Sequence, residues 1–508
     1  MKHIKLFIGI SISAIVLTQS VLAGSKYTVI RHPDPETALQ TRLDWAGQEI
    51  QNRSFDKGAW IGYSIEKWMD KKSTMGCWNN GCDITLSEIL TGKKVEEDSY
   101  RSFDSKTIRE AAREALDQID DKNKPEEKVL KEVALFFRYS GSNQLQKIHF
   151  GNLSIRIDLE NLPLIWLGKA DCHESIQFLS GLYKKSFGNE LKENVVSAVG
   201  IHPPTNSGFD FLKVILQSKE HDDIRKQAAF WMGQQDTDKA LNLLAATAEK
   251  DRSSKVREGS VFAISQMKLA RATDTLIDLA KTSKTIDVRE KAVFWLGQRE
   301  NDPKVLPVLI SIVNNDPSEN IREKAVFAIS QIESRAALQA LIDLAKNNPY
   351  PDVREKAVFW LGQTNDTTVL KDLIDIAKND SSPRIREHAV FAISQMDQAE
   401  AMDAIIDLAY HARDDETRKK AVFWIGQKAS DKAVATLGDV VEKDRDVEIQ
   451  KEALFALSQL PDNGGIQKII HISQSHPSSA VRKQAIFWLG QSGDPRAVDA
   501  LVKLVKKE

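Results

Sequence analysis

Few residues in this chain suit covalent or metal chemistry. The three cysteines are Cys77, Cys82 and Cys172. Cys77 and Cys82 bracket the segment G-C-W-N-N-G-C, with Asn79, Asn80 and Gly81 between them. In an oxidising compartment such a pair closes a loop as a disulfide. Haem attachment requires C-x-x-C-H instead, and zinc requires further ligands, for which Cys172-His173 is the one adjacent Cys/His pair. His173-Glu174 is the single His-Glu dipeptide, and Arg386-Glu387-His388 carries the reverse order. One such pair cannot build a symmetric metal centre, so it reads as a surface pair. No G-x-S-x-G, phosphate-binding glycine loop or H-E-x-x-H occurs. No cofactor and no catalytic residue is expected.

Recognition chemistry is better represented. A phenylalanine recurs at Phe230, Phe262, Phe294, Phe327, Phe359, Phe391, Phe423, Phe455 and Phe487, at intervals of 32 residues with one of 33. Four residues after each stands a glutamine: Gln234, Gln266, Gln298, Gln331, Gln363, Gln395, Gln427, Gln459 and Gln491. At ~100° per residue, Val288, Ala292, Trp295 and Leu296 share one side of a helix, and Phe294 points nearly opposite with Glu290, Lys291 and Gln298. Stacked ~10 Å apart, the rings would form a stripe rimmed by amides, a composition suited to anchoring a protein or peptide. The segment A-V-F-W-L is also apolar around a whole turn, so the rings can equally pack on one another as an extension of the core.

A fixed period of this length indicates a solenoid, in which each unit buries its apolar face against its neighbours. Two versions of the phrase alternate, V-R-E-K-A-V-F-W-L-G-Q at Val288 to Gln298 and I-R-E-K-A-V-F-A-I-S-Q at Ile321 to Gln331. Trp231, Trp295, Trp360, Trp424 and Trp488 mark the first, and Ala263, Ala328, Ala392 and Ala456 the second. Large alternating with small suits interdigitated packing, so the tryptophans are expected to be core and the phenylalanines to carry binding. Between the phrases lie amphipathic stretches such as Ala336 to Lys346, joined by polar turns, which predicts an αα-hairpin repeat.

The second helix resembles the V-R-x-x-A-A-x-A-L-G helix of short HEAT repeats of the phycobilisome-lyase-like type, at Val288, Arg289, Ala292, Leu296 and Gly297, over residues from about 224 to 508. The resemblance implies a right-handed α-solenoid of about 10–11 hairpins, with the phenylalanine position on its concave face. It also implies that Arg225, Arg257, Arg289, Arg322, Arg354, Arg386, Arg418 and Arg482, with Gln450 once in their place, form an inter-repeat Arg to Asp ladder. Asp223, Asp287, Asp352 and Asp415 precede several of these arginines. Ile165-Trp166-Leu167-Gly168 and Val195 to Gly200 are expected to be degenerate earlier repeats.

Lys2 and Lys5, the apolar run Leu6 to Leu17, and Val21-Leu22-Ala23 before Gly24 have the form of a secretory signal peptide. Ser25 stands where a lipoprotein signal requires cysteine. Export to a bacterial periplasm or beyond is expected, with cleavage after Ala23. Without Lys2 and Lys5 the 70 basic residues become 68, against 72 acidic. That balance gives no basic stripe for nucleic acid, and no later run is long enough to span a membrane.

The expected organisation is a signal peptide at 1–23, a mixed α/β module at 24–157 and an all-α solenoid at 158–508. Within the module, Asp34-Pro35-Glu36 is expected to start a helix running to Ile50. Trp60 to Ile65 is read as a strand, Lys147 to Ile157 as two short strands, and Ser105 to Ile119 with Pro125 to Tyr139 as a helix pair. The chain is read as a monomeric scaffold for a protein or peptide partner. The alternative is an enzyme or a metal- or cofactor-binding protein whose site lies around Cys77, Cys82, Cys172 and His173.

Overall fold

The computed structural model describes residues 28–71, 73–75, 85–91, 128–186, 188–299, 301–364, 366–397, 399–428 and 430–506. The leader, Cys77, Cys82 and the segment Ser105 to Ile119 lie outside these residues. The chain divides into two compact units, one ending at Leu269 and the other starting at Ala270.

The first unit opens with a five-stranded sheet of β1 (Val29–Arg31), β2 (Ala59–Asp70), β3 (Lys128–Tyr139), β4 (Leu145–Asn152) and β5 (Leu164–Lys169), in the order β1-β5-β2-β3-β4. Strand β5 runs parallel to β1 and β2, and the other pairs are antiparallel. One face buries Trp60, Phe136 and Trp166 against Leu86 and Ile89 of α2 (Leu86–Thr91). Tyr63 and Phe137 pack on Phe178 of α3 (Cys172–Lys185).

Burial on both faces explains the first two of three corrections. Pro125 to Tyr139 contains a strand, not a helix, because Val133–Phe137 is apolar without alternation, a pattern shared by a doubly covered strand and a buried helix. Ile165-Trp166-Leu167-Gly168 matches the repeat phrase in composition but is β5, so the sheet extends past residue 157 and helical repeats start at α3. Lys147 to Ile157 yields a single strand, β4, followed by a turn. The strand at Trp60 to Ile65 is present within the longer β2.

The first helix also starts later than Asp34. Asp34 Oδ1 accepts from Glu36 N (3.1 Å) and holds only a turn, and α1 runs Leu39–Asn52. Its Leu39 N–H is capped from afar by Glu174 Oε2 at 3.1 Å. Sequence-local capping rules cannot see a cap 135 residues away.

Val195 to Gly200 does close a second helix, Asn189–Gly200. Ten helix pairs follow the sheet among the described residues, three in the first unit and seven in the second, before a last helix, Pro495–Lys506. The fold is all-α solenoid repeats behind a small mixed module. Several first helices start on short polar caps, as where Ser334 Oγ accepts from Ala337 N (3.1 Å).

Alternation of the two repeat types sets how closely second helices approach. A Cβ on Gly297 would lie 2.9 Å from Ala328, one on Gly362 2.6 Å from Ala392, and one on Gly426 2.9 Å from Ala456. The Gly of each W-type helix therefore touches the Ala of the following A-type helix, and neither position tolerates a larger side chain. Gly233 meets Ala263 in the same way in the first unit.

Candidate functional site

The arginines form a ladder, as the repeat resemblance implies, but mostly with other carboxylates than those preceding them. Arg225 bonds Asp251 at 2.6 Å in the first unit. In the second, Arg289 bonds Asp316, Arg354 bonds Asp380 at 2.9 Å, and Arg418 bonds Asp444. Each aspartate works twice, since its Oδ1 accepts a turn N–H two residues on, as Asp380 does from Ser382 N (2.8 Å). A-type repeats improvise: Arg322 uses Asp352 (2.9 Å) and Arg386 uses Asp414 (2.9 Å). Gln450 stands where the next turn offers His476 in place of a carboxylate, and it bonds Asp444 O at 2.8 Å. These pairs are largely buried and join repeats, so they are structural.

The phenylalanines lie on the second-helix face. Seven are half-buried, and Phe359 and Phe487 are 41% and 52% exposed. The tryptophans are not core: all five are half-buried. Wholly buried positions on these helices belong instead to residues such as Val288, Ala292, Val293 and Leu296. Trp360 lies edge-on to Phe359 (5.1 Å) and against Phe327 of the preceding repeat (5.1 Å). Trp424 bridges Phe423 and Phe391, and Trp488 bridges Phe487 and Phe455. Phe294 stacks on Phe327 at 6.1 Å, and Phe230 on Phe262 at 6.2 Å. The rings are thus both self-packed and partly open, one ladder in place of two separate series. Because the Trp position neighbours the Phe position, its large ring spreads over the groove between helices, one edge open and the other packed inward, with the indole nitrogens of Trp231, Trp424 and Trp488 buried.

The glutamines split by repeat type. Gln331 Nε2 donates to Ser330 Oγ (3.2 Å) and Gln395 Nε2 to Ser394 Oγ (3.1 Å). Gln298 and Gln363, in W-type repeats where glycine replaces that serine, are exposed, with side chains that make no hydrogen bond among the described residues. Ion pairs cover the same face, with Lys356 to Glu323 and Lys420 to Glu387 both at 3.5 Å.

Around Cys172 the geometry is that of a helix start. Asp171 accepts from His173 N (2.8 Å) and Glu174 N (3.2 Å), Glu174 caps α1, and burial with nearby Asp171 pushes the Cys172 thiol up, against thiolate chemistry. Among the described residues no three His, Cys, Asp or Glu side chains converge on a possible metal position. Sequence spacing gave no hint of a buried chain nearby. Tyr63 Oη meets Ser175 Oγ (2.7 Å), which meets His202 Nε2 (2.8 Å), and His202 Nδ1 meets Ala198 O (2.8 Å). Burial lowers His202 to about 4 and Lys67, which donates to Ile201 O (2.8 Å), to about 8. All four groups are satisfied inside the packing of sheet on helices, so they latch the module and do not face a substrate.

Residues 209–293, 276–358 and 342–422 match the model for HEAT repeats, and residues 481–507 match that for the PBS lyase HEAT-like repeat. The helix pairs within residues 209–422 match HEAT repeats. No curated protein matches the chain. Among solved structures it is similar to human deoxyhypusine hydroxylase in complex with glycerol, at 21% identity over 56% of this chain and 95% of that one (TM-score 0.23). It is also similar to the CpcE–CpcF complex of phycocyanin lyase from Nostoc sp., at 19% over 47% and 94% (TM-score 0.24). A third is Kap121p bound to Ste12p, at 15% over 63% and 41% (TM-score 0.38).

Proposed function

We propose that this chain is an exported scaffold that holds a protein or peptide partner against the second-helix face of its HEAT repeats. The observation that carries the reading is the aromatic ladder of the second unit. Phe359 and its neighbours are fixed edge-to-face by tryptophans yet left partly open, and the free carboxamides of Gln298 and Gln363 stand beside them. Rigid, half-exposed rings bind at low entropic cost, and amides beside them can pair with a partner's backbone. The face is ion-paired along its length, so recognition rests on aromatic and amide contacts and not on net charge.

Photo-crosslinking tests this directly. A benzophenone amino acid at position 359 should capture a defined envelope protein, and Phe359→Ala with Phe391→Ala should weaken its binding. Capture that is equally efficient from a first-helix position such as Gln339 would sink the reading. Export is part of the proposal, and N-terminal sequencing of the mature protein should begin at Gly24; Met1 on the folded protein would overturn it. In the same compartment Cys77 and Cys82 should be oxidised to a disulfide, leaving only Cys172 open to alkylation.

A further inference from the structure

A second recognition site lies in the first unit, where the sequence offers no motif. A cleft of about 740 Å³ opens between the β3–β4 turn, α1 and the solvent side of α3. That volume falls within the roughly 300–1,000 Å³ of small-ligand sites. Its apolar lining includes two aromatic rings, Tyr139 and Phe178, with Leu145, Leu182 and Leu191. Phe178 is locked in place edge-on to Phe137 (5.3 Å, 79°) and Tyr63 (6.4 Å, 72°), so the cleft has a preorganised ring in its lining.

Carboxamides line the cleft with the rings. The side chains of Asn143, Gln144 and Gln177 border it and make no hydrogen bond among the described residues. Each offers a donor and an acceptor side by side. Glu174 and Lys185 are the charged groups of the lining; they oppose each other in sign, and one carboxylate oxygen of Glu174 already caps α1. The lining therefore carries no net charge to attract an ion.

Gly181 is the independent sign that the space is kept open. Glycine inside a helix destabilises it, and it usually persists because a neighbour presses close. Here the reverse holds: Gly181 is exposed in the middle of α3, lines the cleft, and a Cβ built on it would meet nothing within 4 Å. Packing does not require it. Any larger side chain at this position, one turn from both Gln177 and Lys185, would project into the cleft.

We infer that this cleft binds a short neutral oligosaccharide, with the apolar faces of its rings on Phe178 and Tyr139 and its hydroxyls on the carboxamides of Asn143, Gln144 and Gln177. The site is separate from the repeat face and does not depend on the scaffold reading. Calorimetry on the full-length mature chain, with maltotriose, cellotriose and chitotriose as probes and trialanine and trigalacturonate as controls, tests it. At least one neutral trisaccharide should bind, and neither control should bind as tightly. Gly181→Phe should weaken that binding by about tenfold or more, with the melting temperature unchanged or raised, and Gln177→Ala should weaken it by about tenfold. Gly181→Ala should raise the melting temperature, because nothing opposes the added methyl. Failure of all three neutral probes overturns the inference, as does tighter binding of either control. Saccharide binding that survives Gly181→Phe places the ligand elsewhere and also overturns it.

Discussion

In the sheet module Trp60, Tyr63, Phe136 and Phe137 are wholly buried, whereas no recurring phenylalanine or tryptophan of the repeats is. Where a central strand is covered on both sides no face is left for water, and its rings are core; beyond that cover, at the far end of β2, Trp68 is 64% exposed. A second helix has one side against its repeat and another along the surface of the stack, and rings on that side can only cover one another. The same residue types thus serve cohesion in one region and a partly open surface in the other. Identical substitutions should therefore have different effects.

The largest difference is expected between two tryptophans. Trp60→Ala empties a buried site whose indole N–H donates to Leu159 O (3.1 Å), and it should cost roughly 3–5 kcal/mol by denaturant titration. Trp360→Ala removes a half-buried ring and its two aromatic contacts, at roughly 1–2 kcal/mol. Equal costs would erase the distinction between core rings and ladder rings.

Next comes the ladder of charges. Arg354→Ala strands Asp380, whose side chain is 5% exposed, and should cost about 3 kcal/mol. Arg482, which meets no carboxylate among the described residues and donates only to the carbonyls of His476 and Pro477, should cost about 1 kcal/mol on the same change. A large loss at Arg482 would mean that the guanidinium matters for packing and not for its carboxylate.

Acid should separate the regions. His202 falls from 6.5 unfolded to about 4 folded through burial, so the unfolded chain takes up the proton first. The contribution is complete above pH 6.5 and is lost as pH falls toward 4, on the order of 2–3 kcal/mol. Burial pushes Asp414 up, but hydrogen bonds from Arg386 and Thr417 outweigh it and hold it below the usual carboxylate range; its contribution is lost only in stronger acid. Hydrogen exchange at pH 5 should show β2 and α3 loosening before the repeats of the second unit, and His202→Gln should flatten that dependence. Loosening of the repeats first would break the comparison.

The smallest effect is expected at Phe359, a residue already 41% exposed. Phe359→Ala should cost about 1 kcal/mol, measured by thermal melting. A loss as large as that of Trp60→Ala would make the ring core and remove the surface on which the scaffold reading stands.

Much of this was legible because repetition multiplies a weak signal. Nine copies of one phrase fix the helix pairs, the Arg series and the two repeat types. The module had no second copy, and its strand β3 reads as a helix because both its faces are covered. At the candidate site the positions of Phe and Gln were readable, but the exposure of Trp360 was not, since it depends on what the adjoining helix presents.

By itself the sequence determined the repeat, its alternation and the face each phenylalanine takes, because 3.6 residues per turn and a 32-residue period leave little freedom. Tertiary structure alone decided which carboxylate each arginine meets, that tryptophan lies across the groove, and that the helix start at Leu39 is held by Glu174. It also decided that rings from β3 and α3 meet carboxamides from a distant turn around an open cleft. Each of these contacts joins residues far apart in the chain, and a distance of a few ångströms between them is a property of packing that no local spacing encodes.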